Sequence, residues 1–246
     1  MSLILALSGH AGAGKDTVAD FLVTHHGFVK IGLADPLKRI CKEVFDFSDT
    51  QLWGPSAERN KPDNRYLHIR QGKNGTTFLG DMDLIGTVFE KYKDKVIDGH
   101  LPSPPEDIYL SPRIALQTLG TEWGRHCHKD IWVNYCLRMA FKVLTGEGTY
   151  SAMEGLTGFA YKDAAGVVIP DARFKNEFIA IRAAGGKIVR IKMPLASEDS
   201  VGVKGHSSET EQNDVPDEFF NDVIDNTGTI ADLYAKVELM FKEHFK

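Results

Sequence analysis

Short apolar runs alternate with longer segments of helical spacing along most of the chain. Residues 3–7 form an unbroken apolar run, which is typical of a central strand buried on both faces. In residues 17–26, Val18, Phe21 and Leu22 recur at helical spacing, and Gly27 ends the pattern. Strands that alternate with helices in this way predict an α/β fold with a parallel sheet and right-handed crossovers.

The same two patterns recur through most of the remaining sequence. Asp35 is a favoured helix cap and Pro36 a favoured first helical residue, so a helix is predicted from here, with a buried stripe of Leu37, Ile40, Cys41 and Val44. The other predicted strands are residues 28–33, 167–170, 187–192 and 222–225, and the other predicted helices are residues 113–125, 131–144, one after Arg173 and one after Thr229.

Two of these helices have faces that can be assigned from their spacing. In residues 113–125, the apolar side is formed by Leu116, Leu119 and Trp123, while Arg113, Gln117 and Thr121 lie together on another side. The last helix has one apolar face, which comprises Ile230, Leu233, Tyr234, Val237, Met240 and Phe241.

Two stretches lack this periodicity. Residues 48–112 are punctuated by Gly and Pro, with a hairpin expected at 66–79 around Asn74-Gly75 and a short helix at 84–92. Residues 194–216 are polar and lack a core pattern, as a lid would. We therefore predict a single domain, 1–246, with an inserted substrate-binding excursion at 48–112 and a lid-like loop at 194–216.

Composition limits the classes of partner. The 246 residues are 42% hydrophobic, which is enough for one substantial core. A net charge of −5 argues against a general nucleic-acid-binding surface, and no apolar run approaches the length that spans a membrane. Cys41, Cys127 and Cys136 have no paired spacing, which favours a reducing, cytoplasmic setting. We expect neither a nucleic-acid nor a membrane partner.

The turn after the first strand carries the most specific motif. Gly9, Gly12 and Gly14 allow backbone torsions that bring successive N–H groups onto one anion, and the helix dipole adds to the attraction. Lys15 follows and can neutralise terminal phosphate oxygens. Because Asp16 stands where Ser or Thr is usual, the hydroxyl on the Mg²⁺ side would come from Thr17. The motif predicts nucleoside triphosphate binding through seven residues: Ala11, Gly12, Ala13, Gly14, Lys15, Asp16 and Thr17.

Further charged residues sit where a phosphate or metal could bind. Asp171 ends a predicted strand, at the sheet edge where open α/β folds bind ligands, and could hold Mg²⁺; it could instead, or also, cap the next helix. Arg173 could bind the acceptor or the moving phosphate with a bidentate fork, or could pair with Glu177 on a solvated face.

Candidate acceptor contacts come from three other segments. Arg113 and Gln117 could form a substrate pair, one binding phosphate and the other a base or ribose edge, or could be an ordinary polar face. Lys38 could contribute, although a lysine off the apolar stripe is usually just solvated. In the late polar loop, residues that could close over the phosphates are Lys204, His206, Ser207, Ser208 and Glu209.

Taken together, these residues resemble the deoxynucleoside monophosphate kinases encoded by large tailed bacteriophages. The resemblance rests on an ordered series of motifs that covers nearly the whole chain apart from residues 48–111. In sequence order these are Gly14-Lys15-Asp16-Thr17, Leu33-Ala34-Asp35-Pro36-Leu37-Lys38, Arg113 with residues 116–122 (Leu-Gln-Thr-Leu-Gly-Thr-Glu), Trp132-Val133, residues 170–177 (Pro-Asp-Ala-Arg-Phe-Lys-Asn-Glu), His206 with Ser208-Glu209, and residues 223–229 (Val-Ile-Asp-Asn-Thr-Gly-Thr).

The resemblance implies a P-loop three-layer sandwich with a five-stranded parallel sheet. It also implies ATP with Mg²⁺ as donor and a deoxynucleoside monophosphate as acceptor. Catalytic roles fall to Lys15, Arg113, Asp171 and Arg173, and metal ligation to Thr17, Asp16 and Asp171. Near the donor adenine we expect Asn226, Thr227 and Gly228. On the acceptor side we expect Leu37, Lys38, Lys42, Arg113, Gln117, Thr121, Trp132, Asp171, Arg173 and Glu177, although Trp132 also suits a core position.

Other functions remain open on the sequence alone. The fold could phosphorylate another small phosphorylated acceptor, such as an isoprenoid or cofactor precursor, or serve as a nucleotide-gated switch without an acceptor. Nucleotides are the expected partners, whether the chain forms a homodimer is left open, and the expected location is the cytoplasm, the host's if a virus encodes the chain. The unmatched residues 48–111 are where base choice would be set.

Overall fold

A computed structural model describes residues 3–66, 69–71, 77–79, 109–157, 164–193 and 215–245, with residues 69–71 and 77–79 described by their backbone. The chain divides into two compact units, one of Met1–Pro36 with Gly124–Lys246 and one of Leu37–Trp123. The second unit includes the whole of the segment predicted as an excursion. The predicted helix at 84–92 and most of the predicted lid lie outside the described residues.

The elements follow one another in an alternating order through the first unit. In chain order they are β1 (Ile4–Ser8), α1 (Lys15–His26), β2 (Phe28–Lys30), α2 (Asp35–Phe45), α3 (Asp49–Trp53), α4 (Ser56–Asn60), β3 (Ile69–Gln71), β4 (Thr77–Leu79), α5 (Pro112–Gln117), a π-helix (Thr118–Arg125), α6 (Ile131–Leu144), β5 (Tyr150–Ser151), β6 (Gly155–Leu156), β7 (Gly166–Ile169), α7 (Lys175–Ala183), β8 (Lys187–Lys192), a 3₁₀ turn (Asp217–Phe219), β9 (Asp222–Asp225) and α8 (Ile230–Phe245).

The first unit is built on a five-stranded sheet in the order β2-β7-β1-β8-β9. Every pairing is parallel, and Ala6 in the central strand lies opposite Ile169 on one side and Ile188 on the other. This arrangement confirms the predicted α/β fold and its parallel sheet. The carboxyl end of β1 therefore lies between those of β7 and β8, where ligands bind in open α/β folds.

Helices cover both faces of this sheet and bury alternate residues of its strands. On one face, Ile4 and Ala6 pack in a cluster with residues of α6 and α7. On the other face, Leu5 and Leu7 pack in a cluster with residues of α1 and α8. Because successive side chains of a strand point to opposite faces, the continuous apolar run of β1 supplies both cores. The unit has three layers: helices, sheet and helices.

The second unit has its own small core. Cys41, Phe47 and Leu52 are fully or almost fully buried there, with Leu110 and Ala115 beside them. Burial raises the pKa of the Cys41 thiol to about 12, in line with its prediction as a core residue. The strands β3 and β4 pair antiparallel, with Arg70 opposite Phe78, as the predicted hairpin requires.

Three apolar residues predicted as buried are exposed. Val44 is 67% exposed because the buried row of α2 continues from Leu37 and Cys41 to Phe45, at steps of four residues. Trp123 is 52% exposed because the helix widens to a π-helix at Thr118, so α-helical spacing no longer defines a face there. Ile230 is 63% exposed because it is the first residue of α8, and burial begins at Leu233.

Candidate functional site

The glycine-rich loop between β1 and α1 adopts backbone conformations that glycine favours. Gly9 has φ +147°, and a Cβ there would lie 2.3 Å from the carbonyl oxygen of Ile191 in β8. Gly14 has φ +98° and immediately precedes the first residue of α1, Lys15. Gly12 also has a positive φ, with open space around it. The loop is a tight backbone turn that leads into a helix N-terminus, as an anion cradle requires.

Lys15 folds back over this loop. Its ammonium nitrogen Nζ donates hydrogen bonds to the carbonyl oxygens of Gly9 and His10, both at 2.6 Å. The residue is only 9% exposed, so the charge is held close to the backbone of the turn. Main-chain bonds from Ala13 N to His10 O, at 3.1 Å, and from Val18 N to Gly14 O, at 3.0 Å, close the turn and begin the helix.

Asn226, which follows β9, holds the loop from the other side. Its side-chain Nδ2 donates to the carbonyl oxygen of Ala13 at 3.0 Å, and its own N–H bonds to Lys192 O at the end of β8 at 2.6 Å. A Cβ on Gly14 would lie 2.7 Å from Nδ2 of Asn226. The structure thus brings Asn226 to the loop, while Thr227 and Gly228 are exposed in the turn before α8.

Asp16 and Thr17 form the start of α1. The Asp16 carboxylate is 82% exposed and pairs with the ammonium of Lys30 at 2.9 Å, and Asp20 pairs with the same lysine at 3.0 Å. Burial works to lower the pKa of Lys30, but the hydrogen bonds and charges of the two carboxylates outweigh it and the pKa is raised. Thr17 is half-buried on the same turn. Lys30 lies at the end of β2 and had no sequence motif to mark it.

Asp171 lies just beyond the carboxyl end of β7. Its Oδ1 accepts a hydrogen bond from Leu33 N at 2.8 Å, and its Oδ2 accepts one from Ala34 N at 3.1 Å. The carboxylate therefore holds the loop between β2 and α2. The alternative that Asp171 caps the next helix is wrong, because α7 begins at Lys175 and its cap position is Phe174.

Glu177 is the buried acid of this turn. It is 5% exposed, and its Oε2 accepts hydrogen bonds from the backbone N–H groups of Arg173, at 2.8 Å, and Phe174, at 3.0 Å. Burial raises the pKa of this carboxyl to about 7, against the effect of those two bonds. The predicted alternative of an Arg173–Glu177 pair on a solvated face is wrong in its setting, because Glu177 lies inside the protein.

Arg125 and Asn176 complete this cluster, and the sequence analysis missed both. The Arg125 guanidinium carbon lies 3.5 Å from the centroid of the Phe174 ring, and Nη1 lies 3.8 Å from Glu177 Oε1. Both Nη atoms also donate to Asn176 Oδ1 at 3.3 Å. Asn176 in turn donates to Asp130 Oδ1 at 2.7 Å. Arg125 and Glu177 are 52 positions apart, so no local spacing could reveal their contact.

The predicted acceptor residues of the second unit make contacts within that unit. Lys38 Nζ lies 5.6 Å from the centroid of the Trp53 ring, and Lys42 pairs with Asp49 at 2.7 Å. Arg113 Nε donates to Asn60 Oδ1. Leu37 is buried, while Gln117 and Thr121 are half-buried on either side of the change from α-helix to π-helix. That change breaks the α-helical spacing used to predict that Arg113, Gln117 and Thr121 share a face.

The remaining predicted residues are divided between the core and the part of the chain that is not described. Trp132 is buried in α6 of the first unit, 9% exposed, a placement in keeping with its core interpretation. The polar-loop residues predicted to close over phosphates lie outside the described residues: Lys204, His206, Ser207, Ser208 and Glu209. Within the described ranges, no helix has both the length and the apolar character needed to cross a bilayer.

The donor set near the loop has the chemistry of a hard cation site. Asp16, Thr17 and Asp171 offer oxygen atoms, which are the ligands that Mg²⁺ prefers in proteins. Each Asp171 oxygen accepts one backbone bond, and a carboxylate oxygen can accept more than one. These residues therefore fit the cation that the resemblance implies.

Comparisons with known proteins agree with the motif resemblance. A mimivirus protein named "Putative deoxynucleotide monophosphate kinase" is 27% identical over 237 residues, which is 96% of this chain and 94% of that protein. The deoxynucleoside-5'-monophosphate kinase of Escherichia phage T5 is 27% identical over 152 residues, 54% of this chain and 60% of the kinase. The resemblance to phage-type deoxynucleoside monophosphate kinases is thereby confirmed.

Two other comparisons add little. No protein-family model matches the chain. The crystal structure of TT1252 from Thermus thermophilus aligns with 100% of this chain and 99% of its own, at 15% identity and a TM-score of 0.42, a likeness too loose to support an argument.

Proposed function

We propose that this protein transfers a phosphoryl group from ATP to a deoxynucleoside monophosphate and releases ADP and a deoxynucleoside diphosphate. The observation that carries the proposal is the loop of residues 9–14, with positive φ at Gly9, Gly12 and Gly14 and with Lys15 folded over it. The relatives named as deoxynucleotide kinases support the choice of acceptor. Such a reaction would use free cytoplasmic nucleotides.

Lys15 and the loop amides would bind the terminal phosphates of ATP. Without nucleotide, the Lys15 ammonium is satisfied by two carbonyl oxygens of the loop. Phosphate oxygens would replace these carbonyl contacts, so the charge already lies close to where it is needed. Phosphoryl transfer gains chiefly from such positioning and charge neutralisation, because little covalent help is required from the protein.

Mg²⁺ would be held by Thr17 with Asp16 and Asp171, and would neutralise charge on the phosphates. Asp171 has a second task in this proposal, because it also holds the backbone of Leu33 and Ala34. Asp16 pairs with Lys30 on the surface of α1, so that lysine tempers the negative charge at the start of the helix.

Arg173 would contact the transferring phosphoryl group. Its backbone N–H is fixed by Glu177, so the guanidinium starts from a restrained position. A planar guanidinium can make two parallel hydrogen bonds to phosphate oxygens. On the acceptor nucleotide we propose Arg113 and Gln117, with Leu37, Lys38, Lys42, Thr121, Trp132 and Glu177 lining its site.

The test is ADP release by the purified wild-type chain with ATP, Mg²⁺ and each common deoxynucleoside and ribonucleoside monophosphate. We expect at least one deoxynucleoside monophosphate to raise ADP release by two orders of magnitude or more over ATP alone. Isoprenoid monophosphates and phosphorylated cofactor precursors serve as controls, and one of them as the sole effective acceptor would contradict the proposal. ATP turnover insensitive to every acceptor would instead favour a nucleotide-gated switch.

A further inference from the structure

Arg125, the last residue of the π-helix, is packed against the turn that carries Arg173. Its guanidinium lies on the Phe174 ring at 3.5 Å and is 3.8 Å from the Glu177 carboxylate. Only 16% of its side chain is exposed. A guanidinium held between a ring and a buried carboxylate has few alternative positions, so it constrains both partners.

The two partners of Arg125 are the residues that shape the Arg173 turn. Glu177 accepts the backbone N–H groups of Arg173 and Phe174 with a single oxygen, Oε2, while its other oxygen, Oε1, faces Arg125. The same guanidinium bonds to Asn176, which is tied to Asp130 and to the carbonyl oxygen of Lys129. Arg125 therefore links the segment before α6 to the first turn of α7.

We propose that Arg125 is a positioning residue, which acts through Glu177 and Phe174 to hold the backbone at Arg173 so that its guanidinium meets the transferring phosphoryl group. This inference rests on the proposed function. Arg125 itself touches neither nucleotide in this proposal. A lysine at 125 would keep the charge but would lose the planar stack on Phe174 and the forked contact with Asn176.

The test compares R125M and R125K with a matched control, R138M. Arg138 is also an arginine near an aromatic ring, 5.7 Å from the Tyr135 centroid, but it is exposed on α6. We expect R125M to lower kcat about 10- to 100-fold while the KM for ATP changes less than twofold. R125K should fall between wild type and R125M, and R138M should match wild type.

A second measurement does not depend on activity. Amide hydrogen exchange at Arg173 and Phe174, followed by NMR, should speed up at least tenfold in R125M because the carboxylate that binds these N–H groups is no longer held. Exchange in β1 and β8 should stay as in wild type, which separates loss of the turn from general unfolding. If R125M does not fold, the same comparison is made with R125K, for which we expect a smaller increase.

The outcomes separate this inference from the proposed function. Wild-type exchange at Arg173 and Phe174 in the folded Arg125 variants would overturn the positioning role, whatever the activity. Faster exchange with unchanged kcat would overturn it too, because the turn would then not limit transfer. A wild-type chain with no acceptor-dependent ADP release would overturn the proposed function and the catalytic part of this inference, while the exchange result would still decide whether Arg125 holds the turn.

Discussion

Asn226 donates its side-chain amide to the carbonyl oxygen of Ala13 across 3.0 Å, so a residue 213 positions away fixes the middle of the glycine-rich loop. The contact explains why the chain continues from β9 into a turn beside the loop rather than directly into α8. It also places a polar amide next to Gly14, where no Cβ would fit without displacing it.

We expect Gly14→Ala to weaken ATP binding by at least tenfold. The new Cβ would lie 2.7 Å from Nδ2 of Asn226, and φ at this position is +98°. Calorimetric titration of ATP would measure the effect. Gly185→Ala is the matched control: its φ is +80° but nothing lies within 4 Å, so it should cost about 1 kcal/mol of stability and leave ATP affinity unchanged. Equal ATP affinity in the two variants would contradict the role given to this contact.

Lys15→Met should lower kcat by about 10²- to 10³-fold, the usual effect of removing one preorganised donor from developing negative charge. The ammonium already lies over the loop, 2.6 Å from two of its carbonyl oxygens, so its loss removes charge from a defined place. Steady-state ADP release would measure it, and thermal unfolding would check that the variant is folded. Lys142→Met, at an exposed site on α6, should behave as wild type. Turnover by Lys15→Met at the wild-type rate would remove the loop from the mechanism.

Much of the sheet could be predicted because its signals are local. The bounds of β8 and β9 agree residue for residue with the prediction, since Ile188, Val189 and Ile191 form an apolar run between polar ends and Gly185-Gly186 precede it. The loop could also be predicted, because three glycines and a lysine at fixed spacing leave few other structures. In both cases neighbouring residues decide the conformation.

Contacts between distant segments could not be predicted. Asp171 binds the N–H groups of Leu33 and Ala34, 138 and 137 positions away, so its strand-end position indicated a site but not these partners. The change to a π-helix at Thr118 depends on packing rather than on composition, and it separates Gln117 from Thr121. The sequence therefore indicated which residues matter more reliably than it indicated what each one touches.

Glu177 should make stability fall as pH rises from about 4.5 to about 7. Burial raises the pKa of its carboxyl from 4.5 to about 7, so across that range the folded chain keeps a proton that the unfolded chain has released. A gap of this size corresponds to on the order of 3 kcal/mol, lost as the pH rises and constant above it. Urea unfolding at pH 5 and pH 8 should show the stability of wild type relative to Glu177→Gln declining by that order. Parallel pH dependence of the two proteins would contradict the prediction.

Asp171→Asn tests whether this carboxylate serves the fold, the chemistry or both. The amide keeps one oxygen acceptor but turns its nitrogen toward Leu33 N or Ala34 N, so one backbone N–H loses its partner. Leaving a buried donor unsatisfied costs about 1–3 kcal/mol, which urea unfolding would measure. If the side chain also holds Mg²⁺, kcat should fall by more than tenfold and the Mg²⁺ concentration for half-maximal rate should rise. Loss of stability with an unchanged Mg²⁺ requirement would assign Asp171 to the fold alone, because a structural carboxylate has no reason to alter the cation dependence.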